Sequence, residues 1–283
     1  MKINNLFNRI TLFTAVVAMG VLASCQDNER LTSEDATDVV SESLEDAYFE
    51  DATDMGLSAI NEQSPAGGKL EAGDDRFTQC VVISIAEGST FAEGSLVIDF
   101  GDGCTGPRGN TRAGKINIAW SNGPAGNIGF TVVYTFDGYS INGVQLEGTR
   151  TVTRIAPVYG DNNVRHSITL VNGKATWPDG TITTRESAFE REWVKDPENE
   201  RITLDGEASG VNRRGKDYTM QIRETLEYRR ACFLTQGIHM AVKGVKVFTV
   251  GDRKIVIDYG DGRCDRVVTV TIGDLTRDVN VGS

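Results

Sequence analysis

Apolar and polar residues alternate along most of the chain after residue 76, which indicates strands with one buried and one solvated face. The clearest cases place apolar side chains at every second position of segments 115–120, 130–136 and 218–228, with Glu224 as an interruption in the last. The number and spacing of such segments favour antiparallel pairing over a parallel α/β fold. We therefore predict an all-β domain over residues 76–283, either an antiparallel sandwich or one large curved sheet with many hairpins.

Turn sequences separate these segments at short intervals. The strongest are Asn142-Gly143, Asn172-Gly173 and Pro178-Asp179-Gly180, and segment 195–200 separates two further strands. Asn-Gly favours two-residue hairpins because both residues tolerate a positive φ. With 31 glycines and only 6 prolines, the composition agrees with many strands joined by tight turns.

A helical period precedes the β region. Between residues 34 and 60, one apolar stripe recurs at steps of three and four, interrupted by Asp51 and made of Val40, Leu44, Tyr48 and Met55. Ser33 is the expected N-cap, and Glu34 and Asp35 suit the positive end of the helix dipole. We predict one amphipathic helix over 34–60 whose narrow apolar face packs on the β domain, inside a leader of residues 25–75 that ends in a Pro- and Gly-rich linker.

The first 24 residues have the layout of a secretory signal peptide. Lys2 and Arg9 precede a short apolar run that is not long enough to span a bilayer, and small residues follow it. The sequence Leu22-Ala23-Ser24-Cys25 resembles the lipobox of bacterial lipoproteins. That resemblance implies cleavage before Cys25, acylation of Cys25 and a lipid anchor; Gln26, where an Asp would favour inner-membrane retention, implies outer-membrane localisation.

The acidic charge of the protein is concentrated in the leader. Without residues 1–24 the net charge changes from −11 to −13, and segment 25–54 alone holds eleven acids against one base. Nucleic acid is excluded as a partner because binding it requires a basic surface. In some Gram-negative lipoproteins an acidic run after the cysteine directs export to the cell surface; a solvated tether is the alternative interpretation, and a periplasmic or surface position stays open.

One phrase occurs twice, as Val97-Ile98-Asp99-Phe100-Gly101-Asp102-Gly103-Cys104 and as Val256-Ile257-Asp258-Tyr259-Gly260-Asp261-Gly262-Arg263-Cys264. Each copy follows a strand-like run with an earlier cysteine, Cys80 or Cys232. We interpret this as an internal pseudo-repeat. In an exported protein it favours the disulfides Cys80–Cys104 and Cys232–Cys264 among three possible pairings, with buried free thiols as the alternative.

The aspartates of the repeat are expected to shape a turn, with Asp102 bonding its own backbone between two glycines. A metal site formed by Asp99, Asp102, Asp258 and Asp261 is the alternative, although the spacing lacks the middle ligand and the distal Glu of a calcium loop. A catalytic pair of Asp99 and Asp102 is a further alternative that lacks a recognisable acid–base partner.

Other chemistry is sparse. The two histidines, His166 and His239, have no ligand-type spacing, and nucleophile, zinc, P-loop and dinucleotide motifs do not occur. The charges of segment 184–193 alternate in sign and are expected on a solvated face, as cross-strand pairs. Trp177 and Trp193 are candidate platforms for a glycan, with core packing as the competing use. We predict no enzyme activity and no cofactor.

Two resemblances extend this interpretation. The repeated Ile-Asp-Phe/Tyr-Gly-Asp-Gly is similar to the strand and turn of PKD domains, which are immunoglobulin-like extracellular sandwiches, with Ile98 and Ile257 in place of the family's tryptophan. The layout of lipobox, acidic leader and β body resembles a group of Gram-negative envelope lipoproteins without assigned activity. Together they imply an envelope or surface location and no mechanism. We predict a lipid-anchored, non-enzymatic envelope protein that binds or scaffolds an unidentified ligand, possible classes being a glycan or a protein, with a glycan- or cation-binding module in nutrient uptake as the alternative.

Overall fold

The computed structural model describes residues 32–62, 80–106, 109–156, 163–236, 238 and 240–280. Its helices are α1 (Ser33–Glu62) and α2 (Arg230–Gln236). Its strands are β1 (Val82–Ile85), β2 (Gly94–Asp99), β3 (Cys104–Thr105), β4 (Thr111–Ser121), β5 (Thr131–Ile141), β6 (Val144–Ala156), β7 (Val164–Thr176), β8 (Ile182–Val194), β9 (Arg201–Val211), β10 (Asp217–Arg229), β11 (Lys243–Val250), β12 (Arg253–Asp261), β13 (Val267–Ile272) and β14 (Leu275–Asn280). No helix in this part of the chain is both long and apolar enough to cross a bilayer.

All fourteen strands belong to one open antiparallel sheet. Strands that follow each other in the chain lie side by side from β4 to β14, with β1 and β2 at one edge and β3 paired to β4. The large single sheet, one of the two predicted architectures, is therefore confirmed. Its predicted inner faces are also confirmed: Ile116, Ile118, Val132, Tyr134 and Met220 are at most 2 % exposed.

The sheet curls around α1. Asp46 bonds Lys246 in β11, and Asp51, little more than one turn further along the helix, bonds Arg112 in β4. Those strands lie seven spacings apart, about 34 Å in a flat sheet, whereas a helix with its side chains is only about 10–12 Å across. Only a strongly curved sheet can place both strands against one helix.

β-Bulges accompany this curvature, and one of the predicted turns is in fact such a bulge. Asn172-Gly173 does not end a strand but lies inside β7, where Asn172 has a φ of 53° and the pairing with β8 shifts register. A similar shift occurs in β4 at Gly114, whose φ is 75° and whose added Cβ would lie 2.3 Å from the Gly138 carbonyl oxygen. A residue with positive φ makes a bulge as well as a hairpin, and bulges bend a sheet. Asn142-Gly143 does form the predicted β5–β6 turn.

The N-terminus of α1 is capped by Thr32 rather than by the predicted Ser33. The backbone N–H of Asp35 donates to Thr32 Oγ1 at 3.1 Å, and the Asp35 carboxylate accepts from the Thr32 N–H at 2.8 Å. This reciprocal arrangement is a capping box with Asp in place of Glu. It fixes Asp35 at the first turn, where its carboxylate also faces the sheet.

The two ends of the sheet differ. Because the strands are antiparallel, their connections alternate between ends. We call one the turn end, with short turns at 142–143, 178–180, 213–216, 251–252 and 273–274; the other is the loop end, with connections 86–93, 122–130, 195–200 and 230–242. α1 runs from the turn end, where Asp38 bonds Asn212, toward the loop end, where Gly56 lies against Ile118 and Tyr134.

Candidate functional site: an acidic helix in a basic groove

The main feature of the interior is an acidic helix enclosed by basic strands. α1 carries ten acids and no base. The concave face of the sheet and the β9–β10 turn supply the cations, and we call this surface the basic groove; its members are Arg112, Arg150, Arg185, Arg191, Arg214, Lys246 and Arg253. Each of them forms an ion pair with α1, so helix and groove are matched in charge.

The centre of the groove is a buried cluster of four charges. Lys246 Nζ lies 3.1 Å from Glu42 Oε2 and bonds Asp46, while Arg185 Nη2 lies 2.5 Å from Asp46 Oδ1 and 3.3 Å from Glu42 Oε1. Burial alone would raise the pKa of Asp46, but Arg185 and Lys246 outweigh it and lower the pKa. For Glu42, burial and the neighbouring Asp46 carboxylate prevail and raise the pKa. The cluster positions α1 through charge rather than through apolar contact alone.

Glu45 adds a third carboxylate beside these two cations. Its Oε1 accepts a hydrogen bond from the Thr183 hydroxyl, and its Oε2 lies 3.9 Å from Arg185 Nη1. Trp177 Nε1 donates to the same hydroxyl oxygen at 3.2 Å. Burial raises the pKa of Glu45 to about 7, against the attraction of Arg185. Glu45 is therefore a proton-binding group near neutral pH inside the helix–sheet interface.

Further ion pairs extend along the length of α1. Arg112 holds Asp51 with two nitrogens at 2.9 and 3.0 Å, and Arg253 holds Asp35 in the same bidentate way. Arg191 bonds Asp54 at 2.8 Å. Paired nitrogens meeting both carboxylate oxygens fix direction as well as distance. These contacts therefore set the rotation and register of α1 in the groove.

Two expectations from the sequence are wrong here. The acids of segment 34–54 are not a solvated tether, because most of them bond the sheet and Asp35, Asp38, Glu42 and Glu45 are buried. Arg185 and Arg191 were expected on a solvated face, yet Arg185 is 3 % exposed and both point into the groove. Of the apolar stripe, Met55 is buried in the core, whereas Val40, Leu44 and Tyr48 are only partly buried against it.

A small crevice opens beside Glu42 and Glu45, toward the β9–β10 turn. Its volume is about 10 Å³, close to the space of a single water. Asp38 lines it, and Asp38 Oδ1 is buried without a hydrogen-bond partner while Oδ2 bonds Arg214 and Asn212. The crevice suits one water and has no room for an organic ligand.

The repeated phrase forms twin structures. Gly101 N–H donates to Asp99 Oδ1 at 2.8 Å, and Gly260 N–H donates to Asp258 Oδ1 at the same distance. The first aspartate of each copy therefore makes the turn, not Asp102 as expected. The buried residues also correspond, with Leu96, Ile98 and Phe100 matching Ile255, Ile257 and Tyr259. The pseudo-repeat is thus present in the local structure and packing.

Both predicted disulfides are present, Cys80–Cys104 and Cys232–Cys264. Nine strand steps separate β2 from β12, so the two copies run in opposite directions. The first disulfide therefore lies at the turn end and the second at the loop end, where Cys232 packs with Ile238 and Val242. Each end of the sheet therefore carries one disulfide, and each disulfide lies near one edge of the sheet.

The disulfides lead to a chemical prediction. In a mature chain with Cys25→Ser, alkylation under denaturing conditions without reductant should leave the intact mass unchanged. Reduction before alkylation should add four alkyl groups, because four cysteines then remain. Intact-mass spectrometry reads both states, and any alkylation without reductant would contradict the pairing.

The remaining candidate residues are dispersed. Asp99 pairs with Lys115 at 3.0 Å, and Asp261 lies 3.4 Å from Arg263. The repeat places Asp99 and Asp258 at opposite ends of the sheet, so the four aspartates do not share one site. Within the described ranges, no group of three or more His, Cys, Asp or Glu side chains is arranged to hold a metal ion.

The two tryptophan candidates differ. Trp177 is 6 % exposed and Arg213 covers its ring at 4.6 Å, so the structure places it in the core rather than on a glycan-binding surface. Trp193 is partly exposed; Lys195 lies 5.0 Å over its ring and its Nε1 donates to Glu200. Burial beside Arg191 and Arg154 lowers the pKa of His166 to about 4, and His239 lies outside the described residues.

These features define a class of architecture: an open antiparallel sheet, linked by a disulfide near each edge, that encloses an acidic helix. Comparison with family models, with curated proteins and with solved structures finds no match to the chain. Its function must therefore be argued from its own residues. The predicted signal peptide, Cys25 and the predicted linker of the leader lie outside the described residues.

Proposed function

We propose that this protein is a lipid-anchored envelope lipoprotein of the outer membrane with a binding or scaffolding role and no enzymatic activity. The Leu22-Ala23-Ser24-Cys25 sequence supports acylation of Cys25 after removal of residues 1–24. Two acyl chains or more would hold such a protein stably to a bilayer, whereas one chain would hold it only marginally. A protein partner or a glycan is the ligand class that this role implies.

The disulfides are the observation that carries the proposal. Cys80–Cys104 links the residue two positions before β1 to β3, and Cys232–Cys264 links α2 to the β12–β13 connection. Cys104 and Cys232 are buried in the packed interior. Structural disulfides form and persist in oxidising compartments such as the periplasm and the cell surface. They agree with the export that the N-terminal sequence predicts.

The interior supports a role other than catalysis. The buried carboxylates of α1 are committed to cations of the groove, and the crevice beside them has room for one water. A ligand or partner would therefore bind the outside of this body. Of the two tryptophan candidates for the glycan-binding alternative, Trp177 is enclosed and Trp193 is the one that stays partly exposed.

The proposal predicts that Cys25→Ser abolishes membrane attachment. The wild-type protein should incorporate labelled palmitate and sediment with outer membranes, while the variant should incorporate none and appear in the released fraction. Gln26→Ala serves as the matched control, because it changes the adjacent residue and leaves the thiol available. A Cys25→Ser protein that stays membrane-bound, or a wild type without label, would overturn the anchor.

Protease treatment of intact cells distinguishes the two faces of the outer membrane. Digestion before the membrane is broken indicates surface display, and digestion only afterwards indicates a periplasmic position. Since α1 uses the acids of segment 34–54 for folding, an export signal would have to reside in the few residues that directly follow Cys25.

A further inference from the structure

We propose that the turn end of the sheet faces the bilayer and the loop end points away from it. This rests on the lipidation of Cys25 proposed above. The interaction surface is the part of the turn end around the start of α1, with its tips at 213–216 and 251–252, and its partner is a lipid surface. The loop end is then the part of the body presented to other molecules.

The first observation is the position at which the N-terminal segment, which follows the lipidated Cys25, joins the fold. Asp35 bonds Arg253, next to the β11–β12 turn, and Glu34 and Asp38 bond Arg214 in the β9–β10 turn. These contacts hold the N-terminus of α1 at the turn end. Because the capping box of Thr32 and Asp35 also belongs to this contact, the helix start is fixed to the sheet.

The second step is the length of chain that remains. Only six residues, 26–31, separate Cys25 from Thr32. Seven Cα–Cα steps span at most about 25 Å when fully extended. Had α1 been a free tether, the distance from the lipid to the body could have been several times greater. The docked helix therefore limits how far the turn end can move from the membrane.

The third step is the distance to the other end. α1 has 30 residues, which gives a length of about 45 Å, and it runs from the turn end toward the loop end. Strands β8 and β11, with 13 and 8 residues, place the connections at 195–200 and 230–242 about 43 and 27 Å beyond the turn end. Longer connections also carry binding functions more often than tight turns do. The orientation thus presents the connections that best suit a partner.

Energy transfer from the protein to the membrane tests this orientation. The full-length lipidated protein is reconstituted into vesicles that contain acceptor-labelled lipid, with a donor dye on a single introduced thiol. Asp252→Cys places the dye at the turn end and Glu198→Cys places it at the loop end, both in exposed turns where an acid is replaced. The native thiols do not react, because four form disulfides and Cys25 is acylated.

The expected result is several-fold stronger transfer from position 252 than from position 198. Equal transfer from both positions, as for a body lying on its side, or stronger transfer from position 198 would overturn the orientation and leave the anchor intact. The same two labels on Cys25→Ser protein, made without the signal peptide, should give no transfer. Undiminished binding and transfer in that protein would instead refute the lipid anchor itself.

Discussion

Lys246→Met should be among the most damaging single substitutions in this protein. Lys246 is 1 % exposed, and its ammonium bonds both Glu42 and Asp46. Removing it leaves Arg185 to compensate three buried carboxylates. Loss of one partner from a buried charge pair typically costs about 3–5 kcal/mol. Denaturant unfolding of the wild type and the variant at pH 7.5 measures the change in the free energy of unfolding.

A matched control lies on the same strand. Lys243 also pairs with a glutamate, Glu227, at 3.0 Å, but its side chain is 50 % exposed. Lys243→Met should cost about 1 kcal/mol or less, since exposed ion pairs contribute little. Lys246→Met combined with Glu42→Gln should recover part of the loss, because one buried carboxylate is neutralised together with the cation while Arg185 keeps its pair with Asp46. Equal effects of the two single Lys→Met variants would contradict the buried cluster.

Glu45→Gln should stabilise the protein at pH 8 and have little effect near pH 5. Burial raises the folded pKa of Glu45 to about 7, above its usual value of 4.5, so the native state binds the proton more tightly than the unfolded state. Its ionisation therefore destabilises the fold progressively as the pH rises from about 4.5 to 7. The difference corresponds to about 3 kcal/mol at pH 8, at 1.36 kcal/mol per pKa unit. Glutamine keeps the acceptor for Thr183.

His166→Gln should show the opposite dependence on pH. Burial and the nearby Arg191 and Arg154 lower the pKa of His166 to about 4, from 6.5, while Asp54 opposes them. Protonation of His166 therefore destabilises the fold as the pH falls from 6.5 to 4, by about 2 kcal/mol once partial exposure is allowed for. Replacing it should gain stability near pH 5 relative to the wild type, and no such gain should occur at pH 8.

Thermal unfolding at pH 5 and pH 8 measures these opposite effects. Glu34→Gln is the control on the same helix, because the Glu34 side chain is 64 % exposed and its loss should matter little at either pH. The charged groups around Glu45 are Glu42, Asp46 and Arg185. A Glu45→Gln variant whose stability relative to the wild type does not change between the two pH values would show that Glu45 does not titrate in the groove.

The sequence was sufficient to predict the sheet because one face of each strand is apolar. Alternation in β4, β5 and β10 reflects burial directly, and the two disulfides follow from the repeated phrase. Turn prediction was less reliable. Asn142 and Asn172 have nearly the same φ, yet one is in a hairpin and the other in a bulge. Local preference specifies the backbone conformation but not whether the strand continues after it.

The basic groove was missed because charged residues were assigned to solvent. A signal was nevertheless present in the periodicity. Arg185 and Arg191 are in phase with the buried Phe189, and Lys246 is in phase with Phe248. Cations at the strand positions that otherwise hold buried apolar residues predict buried anions. The acidic leader was the only segment with enough carboxylates to pair with these cations. The number of pairs could not be predicted, because it depends on how tightly the sheet curls.

The enclosure of α1 also has a kinetic consequence. Asp35 pairs with a residue 218 positions away, and even Asp51 reaches 61 positions to Arg112. Alone, α1 is a run of negative charges without a compensating base, so it gains its helical form only as the strands close around it. Contacts between residues this far apart in the sequence make folding slow. The strands that are synthesised last therefore complete the basic groove, and α1 becomes stable only inside that groove.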